Sequence, residues 1–276
     1  MKEEKINNVS VKPVVVPDTN EAETIKGYKI APFKYYNMFI CSKKRSGKTS
    51  LINTIIRKTT DKRTNVWVFC STYKLDDTWK AIIQFLEDRG NNVNCFDTIV
   101  DGKVNLLDKI VQGLSEPEEV PEKGKKKEPV NLNEIKRSYD IFGKERDEEG
   151  KPKKEYQPKR KSPKHLFIFD DISSQLKYID TYVKKHRHFQ ASTIISSQYL
   201  CDLQPSTRLQ IDIFIAFKSF SQDKLEDIHK SLDLSMSFDT FWQIYQHVTS
   251  EPFQFLYLNV RTEELRKNLS VRLTFD

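Results

Sequence analysis

A chain of 276 residues with 37% apolar and 11% aromatic residues can bury one large core or two small ones. Its 31% charged residues and mean hydropathy of -0.63 point to long solvated stretches as well. No apolar run approaches the roughly 18 residues that cross a bilayer. The opening Met1-Lys2-Glu3-Glu4-Lys5 lacks the apolar core of a secretory signal, so the expectation is an intracellular protein that is not secreted and has no membrane partner.

The net charge of +7 is unevenly placed: residues 123–164 hold 15 Lys and Arg against 8 Asp and Glu, an excess equal to that of the whole chain. Such a surplus suits a polyanion partner, reached through one segment rather than the folded body. Cys41, Cys70, Cys95 and Cys201 lie far apart with no Cys-x-x-Cys pair, and the five histidines (His165, His186, His188, His229, His247) form no ligand set. Reduced thiols and no metal cluster are expected.

Residues 1–27 are polar and broken by Pro13 and Pro17, which reads as a loosely ordered arm; Val14-Val15-Val16 could add an edge strand. Residues 36–41 are a mostly apolar run of strand length. Ser42-Lys43-Lys44-Arg45-Ser46-Gly47-Lys48-Thr49 follows, and then a helix from Ser50 with Leu51, Ile52, Ile55 and Ile56 on one side. Strand, tight loop ending in Gly-Lys-Thr, and helix are the layout of a P-loop. In that layout the main chain of residues 42–50 curls around a phosphate at the positive end of the helix dipole. Gly47 permits close approach, Lys48 reaches the β- and γ-phosphates, and the Thr49 hydroxyl ligates Mg²⁺. The pattern wants glycine at position 42 and has Ser42, which can make the bend if its φ is negative. The competing reading is a basic loop that merely contains Gly-Lys-Thr.

Val66-Trp67-Val68-Phe69 is consecutively apolar, the mark of a strand covered on both faces in a parallel sheet. A helix near 76–89 has Trp79, Ile82, Ile83, Phe85 and Leu86 spaced for one buried side and stops at Gly90; a weaker strand at 92–96 and a short helix at 105–114 follow. From 115 to 163 the pattern collapses into Lys, Glu and Pro, too charged to bury enough apolar surface to offset ordering. It reads as a solvated basic insertion or a DNA-contacting arm, with one helical island at 132–142.

Order returns at His165-Leu166-Phe167-Ile168-Phe169-Asp170-Asp171, four apolar residues and paired acids, the form of a Walker B strand. Asp170 would hold the Mg²⁺ shell, and Asp171 would polarise a water aimed at the γ-phosphate. Alternatively the acids cap the helix that begins at Ile172. The β-branched strand 192–197 ends in Gln198, a candidate γ-phosphate sensor or else a polar strand-end residue. Arg208, after Pro205, could reach a neighbouring subunit's nucleotide or pair with a surface acid. A strand at 211–217, helices at 221–232 and 238–247, a strand at 253–259, and a polar tail from 261 with Leu265, Leu269 and Leu273 complete the chain.

Taken together, the P-loop, the Val-Trp-Val-Phe strand, the Trp79 helix, Phe-Asp-Asp, Arg187-His188 with Ser192-Thr193 and Gln198, and Pro205 with Arg208 resemble the viral genome-packaging ATPases of the FtsK–HerA superfamily. The resemblance covers about residues 30–260 without the insertion. It implies an α/β P-loop NTPase fold of the additional-strand, RecA-like kind, with a mainly parallel central sheet flanked by helices and an extra strand between the P-loop and Walker B strands. It also implies ATP and Mg²⁺ bound between the subunits of a homo-oligomeric ring, a ring that drives double-stranded DNA into a capsid, contacts with capsid proteins, and residence in the host cytoplasm, a viral factory or the virion. Lys48 and Thr49 fall on its Walker A pair, Asp170 and Asp171 on its Walker B pair, Gln198 on its sensor, and Arg208 or else Arg187 on its arginine finger. The domain expected is 28–260, interrupted by 115–163 and followed by a tail at 261–276. Ser42 and the long insertion depart from the family pattern. A P-loop nucleoside or polynucleotide kinase and a degenerate ATP-binding structural protein are the alternative readings.

Overall fold

The computed structural model describes residues 24–115, 161–218 and 220–274. The 14–16 run, the 132–142 island and most of the basic insertion lie outside the described residues. Among the described residues, no helix is long and apolar enough to cross a membrane.

A nine-stranded sheet organises the described residues. β1 (Asn37–Cys41), β2 (Asn65–Cys70) and β3 (Val93–Phe96) come from the first half. β4 (Val100–Asp101) and β5 (Val104–Asn105) form a separate small hairpin turning at Gly102. β6 (His165–Asp170), β7 (Ala191–Ser197), β8 (Ile213–Phe217), β9 (Phe255–Asn259), β10 (Glu264–Lys267) and β11 (Val271–Arg272) complete the set. The large sheet runs β11-β10-β9-β8-β1-β7-β6-β2-β3. From β8 to β3 every pairing is parallel, and β9, β10 and β11 are added antiparallel. The fold is therefore α/β with a mixed, largely parallel central sheet.

Both faces of the strands are covered, which is why they read as unbroken apolar runs. Met38, Ile40, Val66, Val68, Leu166 and Ile168 face α1 (Lys48–Thr59) and α2 (Asp77–Asp88), meeting Leu51, Ile52, Ile55, Trp79 and Ile82. Phe39, Phe69, Phe167, Phe169 and Phe214 face the other layer, built from α3 (Leu106–Ser115), α4 (Asp180–Lys185), α6 (Gln222–Ser231) and α7 (Phe238–Val248), with α5 the single turn Pro205–Arg208 between them. α2 begins on Asp76, whose carboxylate accepts from Thr78 N–H at 2.8 Å, and ends before Gly90 at φ 86°.

The C-terminal residues extend the sheet. β10 and β11 pair symmetrically about residue 269, so Leu273 N–H meets Leu265 O at 2.9 Å. Leucines four apart on either side of a turn give the spacing that the sequence displays. After Asp171 the chain forms a 3₁₀ segment, Ser173–Ile179, before α4.

The order of strands settles what lies beside what. β7 sits between β1 and β6, in register Cys41↔Ser197 on one side and Asp170↔Ser196 on the other. Three parallel strand ends thus emerge side by side: the P-loop, Asp170-Asp171, and Gln198.

Candidate nucleotide-binding site

The loop after β1 turns without a glycine at its start. Ser42 is not among the positive-φ residues, and its N–H donates to Ser197 O at 3.1 Å, continuing the β1–β7 ladder by one residue. The left-handed positions are Arg45 at φ 62° and Gly47 at φ 93°. At Gly47 a side chain would be strained, so the glycine that the bend requires is the one next to Lys48. Gly47 is also the N-cap of α1, which has no side-chain cap and no acidic residue in its first turn. Its first N–H groups and dipole are therefore available to an anion.

Lys48 opens α1 and meets both acids. Its Nζ lies 2.9 Å from Asp170 Oδ1 and 2.7 Å from Asp171 Oδ1. Burial works against the Lys48 charge, but Asp170 and Asp171 outweigh it and hold its pKa above the ordinary lysine value. Asp170 is 1% exposed, and its Oδ2 accepts from Trp79 Nε1 at 3.0 Å. Asp171 is more open; its backbone sits at φ 50°, and its carbonyl accepts from Ser71 Oγ at 2.8 Å. The Asp171 carboxylate faces Lys48, while the 3₁₀ segment that follows starts from Ile172 with no side-chain cap.

The donors suit a hard divalent cation. Thr49 offers a hydroxyl and Asp170 a carboxylate, the oxygen chemistry that Mg²⁺ takes. Among the described residues no group of three or more His, Cys, Asp or Glu could hold a metal alone. An ion here must complete its shell with water and phosphate oxygens, as Mg²⁺ in nucleotide sites does.

Gln198 directly follows β7, half-buried between the ends of β1 and β6, and its carbonyl accepts from Cys41 Sγ at 3.5 Å. Arg208 ends α5, donates from Nε to Leu203 O at 3.0 Å, and shares a cleft with Tyr199, Phe220, Lys224 and Asp227. Arg187 follows α4, 3.6 Å from Asp212 Oδ1, where Asp212 also receives Arg261 at the entry end of β8. That end is opposite the P-loop, so within one chain Arg187 is turned away from Lys48. Two contacts at the acids were not legible as such: helical spacing marks Trp79 as buried, but only the fold reveals that its N–H meets Asp170, and Ser71 carried no signal beyond its place at a strand end.

No protein-family model matches the sequence, and no curated protein matches it. Solved structures do share its fold. The DNA-packaging ATPase B204 from Sulfolobus turreted icosahedral virus aligns with 17% identity over 85% of this chain and 98% of that one, TM-score 0.51. The genome-packaging NTPase B204 from Sulfolobus turreted icosahedral virus 2, in complex with AMP, aligns with 15% identity over 85% and 97%, TM-score 0.51. At such identity the likeness establishes the α/β fold of P-loop NTPases and nothing finer.

Proposed function

We propose that this chain is a Mg²⁺-dependent ATPase that drives double-stranded DNA into a viral capsid, working as a homo-oligomeric ring in an infected cell. The observation that carries the ATPase reading is the convergence of Lys48 on Asp170 and Asp171 at the mouth of a P-loop. On nucleotide binding Lys48 would exchange these carboxylates for phosphate oxygens, leaving Asp170, together with the Thr49 hydroxyl, as the residues that would hold Mg²⁺. Mg²⁺, when bound, neutralises charge on the phosphate oxygens. Asp171, the more exposed acid, orients and polarises the attacking water, and Gln198 at the neighbouring strand tip contacts the same water or the terminal phosphate. Arg208, held by Leu203 O in a cleft with Tyr199, serves the site of an adjacent subunit.

The DNA reading draws support from the opposite end of the sheet. Two clefts of about 820 and 780 Å³ adjoin there and share Asp61 and Arg63. Lys34, Lys161 and Lys164 line one, and Lys29, Lys58 and Lys62 the other; Asp61 is the one carboxylate among the described lining residues of both. Arg63 already holds it at 3.0 Å. A concave surface so rich in lysine suits a phosphate backbone read without regard to sequence. α1 joins the two ends, with Lys48 in its first turn and Lys58 in its last, about 15 Å apart by helix rise.

The deciding experiment is an ATPase assay of the full chain and of Asp171→Asn, with and without double-stranded DNA. DNA-stimulated turnover that the substitution abolishes supports the motor. Phosphate transfer to a nucleoside in preference to water, or turnover indifferent to both DNA and the substitution, defeats it.

A further inference from the structure

A cleft of about 480 Å³ runs along α1 from the P-loop, lined by Gly47, Ser50, Leu51 and Thr54 on the helix and by Phe253 and Asn268 opposite. The four helix residues recur at intervals of three and four, so they form a single stripe up the first two turns. The cleft therefore begins where a phosphate chain would end and leads away from Lys48.

Phe253 is out of place for a packing residue. It is 70% exposed, its backbone sits at φ 63°, and one ring carbon stands 3.4 Å from where a Cβ on Gly47 would lie. A left-handed backbone at a non-glycine residue costs stability. Beneath it Phe217 and Phe255 pack ring to ring at 5.0 Å, giving the cleft a rigid apolar floor. Asn268 is clamped to Phe255: its N–H donates to Phe255 O at 2.9 Å, and its Oδ1 accepts from Phe255 N–H at 3.1 Å. That leaves its amide NH₂ to meet a ligand, next to Ser270 on the rim.

We propose that this cleft is the nucleobase subsite, in which the base stacks on Phe253 and its edge meets Asn268 and Ser270. The inference rests on the nucleotide reading of the P-loop and adds which part of the chain holds the base. A flat aromatic face beside an apolar floor is what a base requires, and no other exposed large apolar side chain among the described residues lines this cleft. Among the described residues no carboxylate lines it either. Guanine presents N–H donors along its pairing edge and calls for a carboxylate, whereas amide and hydroxyl groups match the mixed edge of adenine. The ligand class is thus an adenine nucleotide.

The test separates base from phosphate by titrating the full chain calorimetrically with ATP and with inorganic tripolyphosphate, both with Mg²⁺. Phe253→Ala should weaken ATP by about 10- to 100-fold, the usual loss of one stacking partner, and leave tripolyphosphate as in the unaltered chain. Phe253→Trp should keep ATP affinity, with indole emission quenched by ATP and not by tripolyphosphate. Unchanged ATP affinity in the alanine variant, or equal effects of both ligands on the tryptophan variant, overturns the subsite while the P-loop reading stands. If the unaltered chain binds neither ligand, the P-loop reading itself falls and the subsite with it.

Discussion

The Lys48 ammonium stands 2.7 Å from the Asp171 carboxylate, bridging the first turn of one helix to the tip of a strand 123 residues later. With its twin to Asp170, this contact sets one ammonium between two carboxylates, so the two directions of substitution should separate cleanly. Lys48→Ala removes the cation that holds both acids and, in the proposed function, the phosphates. ATP affinity should fall at least 10-fold, the loss expected for a hydrogen bond to a charged group. The nucleotide-free fold should also lose roughly 3 kcal/mol, the low end for breaking a buried pair, because Asp171 is 41% exposed. Asp171→Asn keeps the shape and a hydrogen-bond acceptor but removes the carboxylate that the proposed function uses to polarise water. It should bind ATP within a few-fold of the unaltered chain and lose roughly 100-fold or more in turnover. Equilibrium binding and steady-state hydrolysis on the same preparations check both; equal turnover in Asp171→Asn and the unaltered chain would remove Asp171 from the chemistry.

Trp79 orients the other acid. Its indole N–H, fully buried, donates to Asp170 Oδ2 at 3.0 Å, which leaves Oδ1 to Lys48 and, in the proposed function, to Mg²⁺. Trp79→Phe retains most of the apolar volume and deletes that bond. The concentration of Mg²⁺ needed for half-maximal turnover should rise about 10-fold, as when a partner of a metal-ligating carboxylate is removed. Trp67→Phe is the control, since Trp67 packs with the aromatic rings of the other sheet face and bonds His165 instead. A shift shared by both variants would mean a general loosening of the sheet.

Much of this arrangement was legible in advance because burial leaves a periodic trace. Val66-Trp67-Val68-Phe69 predicted a strand covered twice, and Gly90 predicted the end of α2. The P-loop and Phe-Asp-Asp were readable one by one, yet nothing in their spacing says that β7 inserts between β1 and β6; only the family resemblance implied it, and the pairing of Ser196 with Asp170 now fixes it. The two-residue strands β4 and β5 are too short to alternate, so no pattern could reveal them. Leu265, Leu269 and Leu273 were ambiguous because a hairpin centred on 269 and a helical turn share a spacing of four. Phe253 was assigned to the end of a strand, where its exposure beside Gly47 has no sequence signature at all.

The lysine-lined clefts make a prediction in salt. Lys58, Lys62 and Lys164 are exposed there, so each can give one phosphate contact. Replacing any one by Ala should weaken double-stranded DNA binding about equally across sequences and lower the slope of log affinity against log salt by about one. Lys230→Ala changes the charge by the same amount at a distant helix, where Lys230 pairs with Glu226 at 2.7 Å, and should leave the slope alone. Anisotropy titrations over a series of salt concentrations supply the slopes. If all four variants fall on one line, net charge and not the clefts governs binding.

Stability should depend on pH through two histidines. Burial lowers the pKa of His165, helped by the neighbouring Lys164, and burial likewise lowers that of His186. In the unfolded chain both take a proton near the ordinary value of about 6.5, whereas the folded chain resists it. Between those two points the unfolded state binds more protons, so the stability these residues contribute is full above about 6.5 and drains as pH falls below it. Asp212 carries the opposite sign. Burial pushes its pKa up to about 6 against the Asn37 N–H and the nearby Arg187, so its contribution grows as pH falls through that value. Comparing variants separates the two trends. The drop in melting temperature from pH 7.5 to 5.5 should be smaller in His165→Gln/His186→Gln than in the unaltered chain, and larger in Asp212→Asn. Thermal melts of the three chains in matched ionic strength give the comparison, and equal drops in the histidine variant and the unaltered chain would show that both rings already carry their protons in the folded state at pH 5.5.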